Sequence, residues 1–209
     1  LDSPMTTKTV NLYTFNELSD SAKEKARNWW REGNNDDTFW SECTIDEAKE
    51  QAKNMGFDVE EILWSGFSSQ GNGACFTGRW NSNDFGPEKV ADGWGESDST
   101  AKIKQIGSAF GEFSKQYPEL QVKISHNDRY CHERSVDYDF YFFDQETGEE
   151  IDRPENFSEK DFKESCVDLF QWIYRQLEKD WDYNNSDECV DENITNNDYT
   201  FLADGTRED

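Results

Sequence analysis

Two histidines, one glycine-rich run and a large set of carboxylates are the residues on which any chemistry in this chain must rest. His126 and His132, its only histidines, flank Tyr130 in Ser125-His-Asn-Asp-Arg-Tyr-Cys-His132. Two imidazoles in one short segment can hold a metal or serve as an acid and a base near neutral pH, with Asp128 or Glu133 as an orienting carboxylate. His126, Tyr130 and His132 are therefore the catalytic candidates. Their spacing fits no standard zinc pattern and lacks a third ligand. The favoured expectation is a turn carrying structural histidines, with no metal.

Ser65-Gly-Phe-Ser-Ser-Gln-Gly-Asn-Gly-Ala-Cys-Phe76 is the second feature, three glycines among small polar residues between two aromatic-rich segments. Such a loop can offer free backbone N–H groups to an anion, or it can simply turn a hairpin. It is neither a dinucleotide-binding fingerprint nor a phosphate loop, because no Lys-Ser/Thr follows. A structural hairpin is favoured, with Ser69, Gln70, Gly71 and Gly73 as ligand-loop candidates. No motif implies a cofactor.

Carboxylates supply the third feature. Acidic pairs such as Asp36-Asp37, Glu60-Glu61, Glu149-Glu150 and Asp187-Glu188 raise the question of calcium, but no EF-hand loop is present, so only weak, nonspecific cation binding is expected. Asp161, Glu164, Asp168, Glu178 and Asp182 recur at helical spacing, and Asp187, Glu188, Asp191 and Glu192 follow closely. Along a helix, neighbours three or four residues apart are separated by about 5 to 6 Å. That interval is comparable to the spacing of phosphates along a nucleic-acid strand. A rigid face of this kind can present carboxylates where a Lys/Arg groove expects phosphates; a merely solvated face is the bland alternative.

These residues need elements to hold them. Val10 to Phe15 reads as a short strand, and Ser21-Ala-Lys-Glu24 has capping-box spacing for a helix burying Ala22, Ala26 and Trp29 or Trp30. A second helix is predicted over 38–55, with Trp40, Cys43, Ala48 and Ala52 inward and Gly56 as its stop. Residues 57–67 and 74–80 read as paired strands. Residues 81–97, rich in Gly, Asp and Asn, read as a flexible loop. Ile103, Ile106, Phe110, Phe113 and Tyr117 give the clearest helical period, ended by Pro118. Strands follow at 120–125 and 136–143. A helix then starts at Ser158 and continues past Trp181, burying Phe162, Cys166, Leu169, Phe170, Ile173 and Leu177. A short acidic helix at 187–194 and a strand at 199–202 close the chain, so that 158–196 form an acidic helical part. The expected fold is α+β, one domain over 5–209, a largely antiparallel sheet packed by four to five helices. Leu1-Asp-Ser-Pro4, ahead of Met5, reads as a cloning scar.

The formal net charge is -25 on 209 residues, and residues 145–209 carry twenty acidic against six basic side chains. Such a field repels nucleic acid and anionic membranes and attracts basic surfaces. Aromatics at 15 % supply enough apolar area for a folded core despite the charge. No apolar run approaches a membrane span or an export signal. Five cysteines, odd in number and without CxxC spacing, fit a reducing cytosol better than a disulfide framework.

The segments Leu12-Tyr-Thr-Phe-Asn-Glu-Leu-Ser-Asp-Ser-Ala-Lys-Glu-Lys-Ala-Arg27, Gly66 to Phe76, His126 to His132 and Asn197-Asp-Tyr-Thr-Phe201 resemble a family of tailed-phage and prophage proteins. Some of these are labelled "antitoxin of toxin-antitoxin stability system". The resemblance implies a phage gene product acting in the host bacterial cytoplasm. The leading expectation is an acidic inhibitor, with no enzymatic activity, that blocks a basic host protein handling nucleic acid or serving defence. The alternatives are an antitoxin neutralising a cognate toxin, and an enzyme or nucleotide-binding protein using the glycine-rich segment with the His126/His132 turn. Direct nucleic-acid and membrane binding are not expected.

Overall fold

The computed structural model describes residues 7–34, 38–127 and 129–208. The residues read as a cloning scar, together with Asp36, Asp37 and Asp128, lie outside the described residues. The fold is α+β. Strands β1 (Tyr13–Thr14), β2 (Met55–Trp64), β3 (Ala74–Phe85), β4 (Leu120–His126), β5 (Val136–Phe142) and β6 (Thr200–Phe201) and helices α1 (Asp20–Asn34), α2 (Glu42–Asn54), α3 (Asp98–Gln116), α4 (Glu159–Asn184) and α5 (Asp187–Asn196) follow in the order β1-α1-α2-β2-β3-α3-β4-β5-α4-α5-β6. They form two compact units, Glu42–Glu178 and the segments flanking it.

The larger unit is built on an antiparallel sheet ordered β2-β3-β4-β5. Alternation along its strands puts Phe76, Trp80, Val122 and Ile124 on a buried face, and Thr77, Arg79, Gln121 and Lys123 on the other. α3 and α4 supply the apolar stripes that cover the buried face. Phe57 meets Phe110 at 4.9 Å, Phe76 meets Phe170 at 4.8 Å and Trp80 meets Phe162 at 5.2 Å, all edge to face. Both helices have serine caps: Ser97 Oγ accepts from Thr100 N, and Ser158 Oγ accepts from Asp161 N.

The smaller unit holds the two-stranded β1–β6 ribbon with α1 and α5. Phe15, Leu18, Ala22, Ala26, Val190, Ile194 and Phe201 are its core. Arg27 clamps α5 from α1, donating to both oxygens of Asp191 at 2.6 and 2.8 Å. Its pKa is raised, first by that hydrogen bond.

Several expectations are corrected. α1 is capped by Ser19, whose Oγ accepts from Ala22 N at 3.3 Å, and Ser21 lies inside the helix. Trp29 and Trp30 are half-buried rather than core. Cys43 is exposed; Thr44 and Gln51 instead share the buried stripe of α2 with Ala48 and Ala52. Asn81–Phe85, read as loop, continue β3, because their polar groups are satisfied within the fold. Asn81 pairs with Gln121, and Ser82 and Ser114 exchange hydroxyl-to-carbonyl bonds of 3.0 and 2.5 Å. Val90 and Ala91 are buried beyond it, with Ala91 N donating to Gln51 Oε1 at 2.7 Å. No helix among the described residues is long and apolar enough to cross a membrane.

Candidate functional site

The glycine-rich run is the loop of the β2–β3 hairpin. Its neck closes where Ser65 N donates to Gly73 O at 3.1 Å. Ser65 Oγ accepts from Gly73 N at 3.2 Å and donates to the Cys131 carbonyl at 3.3 Å. At its tip, Asn72 N donates to Ser69 O and Gly71 takes a φ of 90°, a left-handed conformation that favours glycine. Tyr174 of α4 donates to Gly66 O at 3.0 Å, and its ring lies 5.3 Å from Phe67.

The histidine turn links β4 to β5 and meets this hairpin. A Cβ at Gly73 would stand 2.9 Å from both Cα and Cβ of His132, so the glycine lets the two backbones close together. The imidazoles, however, face the turn's own backbone. His126 Nε2 donates to Tyr130 O at 2.9 Å, and His132 Nδ1 accepts from Arg134 N at 3.1 Å. Since a carbonyl can only accept and a backbone N–H can only donate, each neutral ring carries its proton on Nε2. Tyr130 is 48 % exposed, with Arg129 over its ring. Glu133 Oε1 accepts from Gln171 rather than orienting an imidazole. Among the described residues no three His, Cys, Asp or Glu side chains converge on a metal-sized space.

Nearby thiols are poor nucleophiles. Burial pushes Cys75 up to about 12 and raises Cys131 and Cys166 as well. Burial likewise raises Tyr138, whose hydroxyl is enclosed beside the Cys166 thiol.

The carboxylates fall into two sets. Glu164 pairs with Arg134 at 3.3 Å, Asp168 with Lys102 at 3.5 Å, Asp187 with Arg31 at 2.5 Å, and Asp191 with Arg27. Only the Arg27–Asp191 pair is partly buried; the carboxylates of the other three are exposed, and such surface pairs add little to stability. Asp161, Glu178, Asp182, Glu188 and Glu192 make no ion pair within 4 Å among the described residues. On α4 the array is broken, because the turns between Asp168 and Glu178 carry Gln171 and Arg175 on the same side, a gap of about 15 Å.

Residues 40–187 match the domain of unknown function DUF8835. The chain belongs to that family. No curated protein and no solved structure matches it. The DUF8835 match takes in the glycine-rich hairpin, the histidine turn and all of α4; Glu188, Asp191 and Glu192 lie past its end. Alternation alone marks the outer face of the DUF8835 sheet as merely polar. Sequence reasoning therefore missed its cations, Arg79 and Lys123, which strand register sets side by side.

Proposed function

We propose that this protein is an acidic inhibitor that binds a basic, nucleic-acid-handling host protein and occupies the Lys/Arg groove where phosphates would lie. The observation that carries the reading is that some of its exposed carboxylates have a basic neighbour and others have none. Asp182, Glu188 and Glu192 are exposed at the end of α4 and along α5, with no ion pair among the described residues. The gap on α4 moves the centre of the proposed surface from the whole helix to this acidic end. The resemblance to tailed-phage proteins supplies the setting, a host bacterial cytoplasm. The two imidazoles, each spent on a backbone bond, favour binding over catalysis at the histidine turn.

Such an interface is steered by charge and weakens as salt rises. The test is capture of the partner from host lysate at low and high salt, followed by titration of the purified pair. Reversing Asp182, Glu188 and Glu192 to lysine should weaken binding at least threefold, taking about 0.2 to 1 kcal/mol for each exposed pair lost. Reversing Asp58, Glu60 and Glu61 changes net charge equally but should have the smaller effect. Equal losses from both variants, or affinity indifferent to salt, refute the placed surface.

A further inference from the structure

The larger unit contains a region whose charge opposes that of the whole chain. Strand register places Arg79 of β3 directly across from Lys123 of β4 on the exposed sheet face. Like charges directly opposite one another destabilise a sheet. Asp58 follows Arg79 in the same cross-strand row, and Asp139 follows Lys123. Neither forms an ion pair within 4 Å with these cations.

A cavity of about 490 Å³ lies over this row, within the roughly 300 to 1,000 Å³ range of small-molecule sites. It adjoins a second, of about 910 Å³, with which it shares Asp58 and Asp84. The second cavity adds Lys49 and Lys53 of α2 and Lys89, likewise without ion pairs among the described residues, and one further acid, Glu50. With Asp139 at the end of the row, five cations stand against four carboxylates, a local excess of one positive charge in a chain with 21 basic and 46 acidic residues.

The next row of the sheet, about 6.6 to 6.8 Å along the strands, holds Asn81, Gln121 and Tyr141. Tyr141 stacks with Phe143 at 6.2 Å and 20°, and both line the smaller cavity. Aromatic rings beside cations on a sheet face suit a planar base carrying an anion. The chain's net charge disfavours a long polyanion, whereas a single small ligand meets mainly the local field.

We propose that the two adjoining cavities form a binding site for a nucleoside phosphate. Its phosphates face Arg79, Lys123 and the three lysines, and its base lies on Tyr141 and Phe143 beside the Asn81 and Gln121 amides. The site is separate from the glycine-rich hairpin and independent of the acidic surface on α4 and α5.

The test is calorimetric titration of the full chain with ATP, AMP, inorganic triphosphate and a short single-stranded RNA. ATP should bind more tightly than AMP or triphosphate. The paired change R79A/K123A should weaken ATP at least tenfold, as expected for lost charge-assisted hydrogen bonds. Y141A should weaken ATP and leave triphosphate unchanged, and K102A, at a cation paired elsewhere, should change neither. All four positions are outside the core, and circular dichroism checks that each variant folds. The proposal is overturned if ATP does not bind, if R79A/K123A binds it normally, if triphosphate binds as well as ATP, or if RNA is preferred to the mononucleotide.

Discussion

Replacing Trp80 with phenylalanine should cost about 2 to 4 kcal/mol of stability. Trp80 is fully buried on β3, and its indole Nε1 donates to Met55 O at 2.7 Å. Phenylalanine removes that donor from a buried carbonyl, a loss of about 1 to 3 kcal/mol. The smaller ring also leaves a void between Phe57, Phe110 and Phe162, which at about 24 cal/mol per Å³ adds on the order of 1 kcal/mol. The sum is a large fraction of a typical domain's about 5 to 15 kcal/mol. Urea unfolding followed by far-UV circular dichroism measures it. W172F is the comparison, since Trp172 Nε1 donates at 3.0 Å to Ser99 O, a carbonyl in the first turn of α3 that also accepts a helical bond. Its loss should be smaller, about 1 to 2 kcal/mol. A loss below about 1 kcal/mol for W80F, or one no larger than that of W172F, would refute the role given to the Met55 bond.

Acid should act on Asp204, whose pKa is held below its ordinary 3.8, first by the Lys25 hydrogen bond and then by Thr206 N. Its contribution is present above the ordinary value and is lost as pH falls through the lowered one, so D204N should reduce the acid sensitivity of thermal unfolding below about pH 4. A thiol-reactive disulfide reagent should modify the exposed Cys43 first and the part-exposed Cys131 more slowly, while Cys75 and Cys166 react only on unfolding; a fast phase of undiminished amplitude in C43S contradicts this ordering. G78A should cost at least about 3 kcal/mol, because its φ is 150° and a Cβ would overlap the Asp58 carbonyl. G71A, equally left-handed but in open space, should cost about 1 kcal/mol in the same denaturation assay.

The helices that cover the sheet were legible because their burial repeats with the helical period. Ile103, Ile106 and Phe110 on α3, and Phe162, Cys166, Leu169, Phe170, Ile173 and Leu177 on α4, are all buried. What escaped depends on partners distant in the chain. Asn81 and Ser82 look like loop residues until Gln121 and Ser114 stand beside them. Cys43 looks like a core residue until Thr44 and Gln51 take the inward positions. The candidate sites divide the same way. Spacing exposed the carboxylates of α4, but not that Glu164 and Asp168 are committed to Arg134 and Lys102. The Arg79–Lys123 pair has no sequence signature at all, because it is created by strand register.

The order β2-β3-β4-β5 leaves β2 and β5 as borders of the larger sheet. A border strand can recruit a strand from another copy of the chain, the first step of aggregation. β2 carries exposed Asp58, Glu60 and Glu61, and β5 carries exposed Asp137 and Asp139. Two copies approaching along either border would bring carboxylates against carboxylates. Charge at these borders disfavours edge-to-edge pairing of copies, so β2 should be probed with lysine, which keeps a charge at the border, and not with alanine.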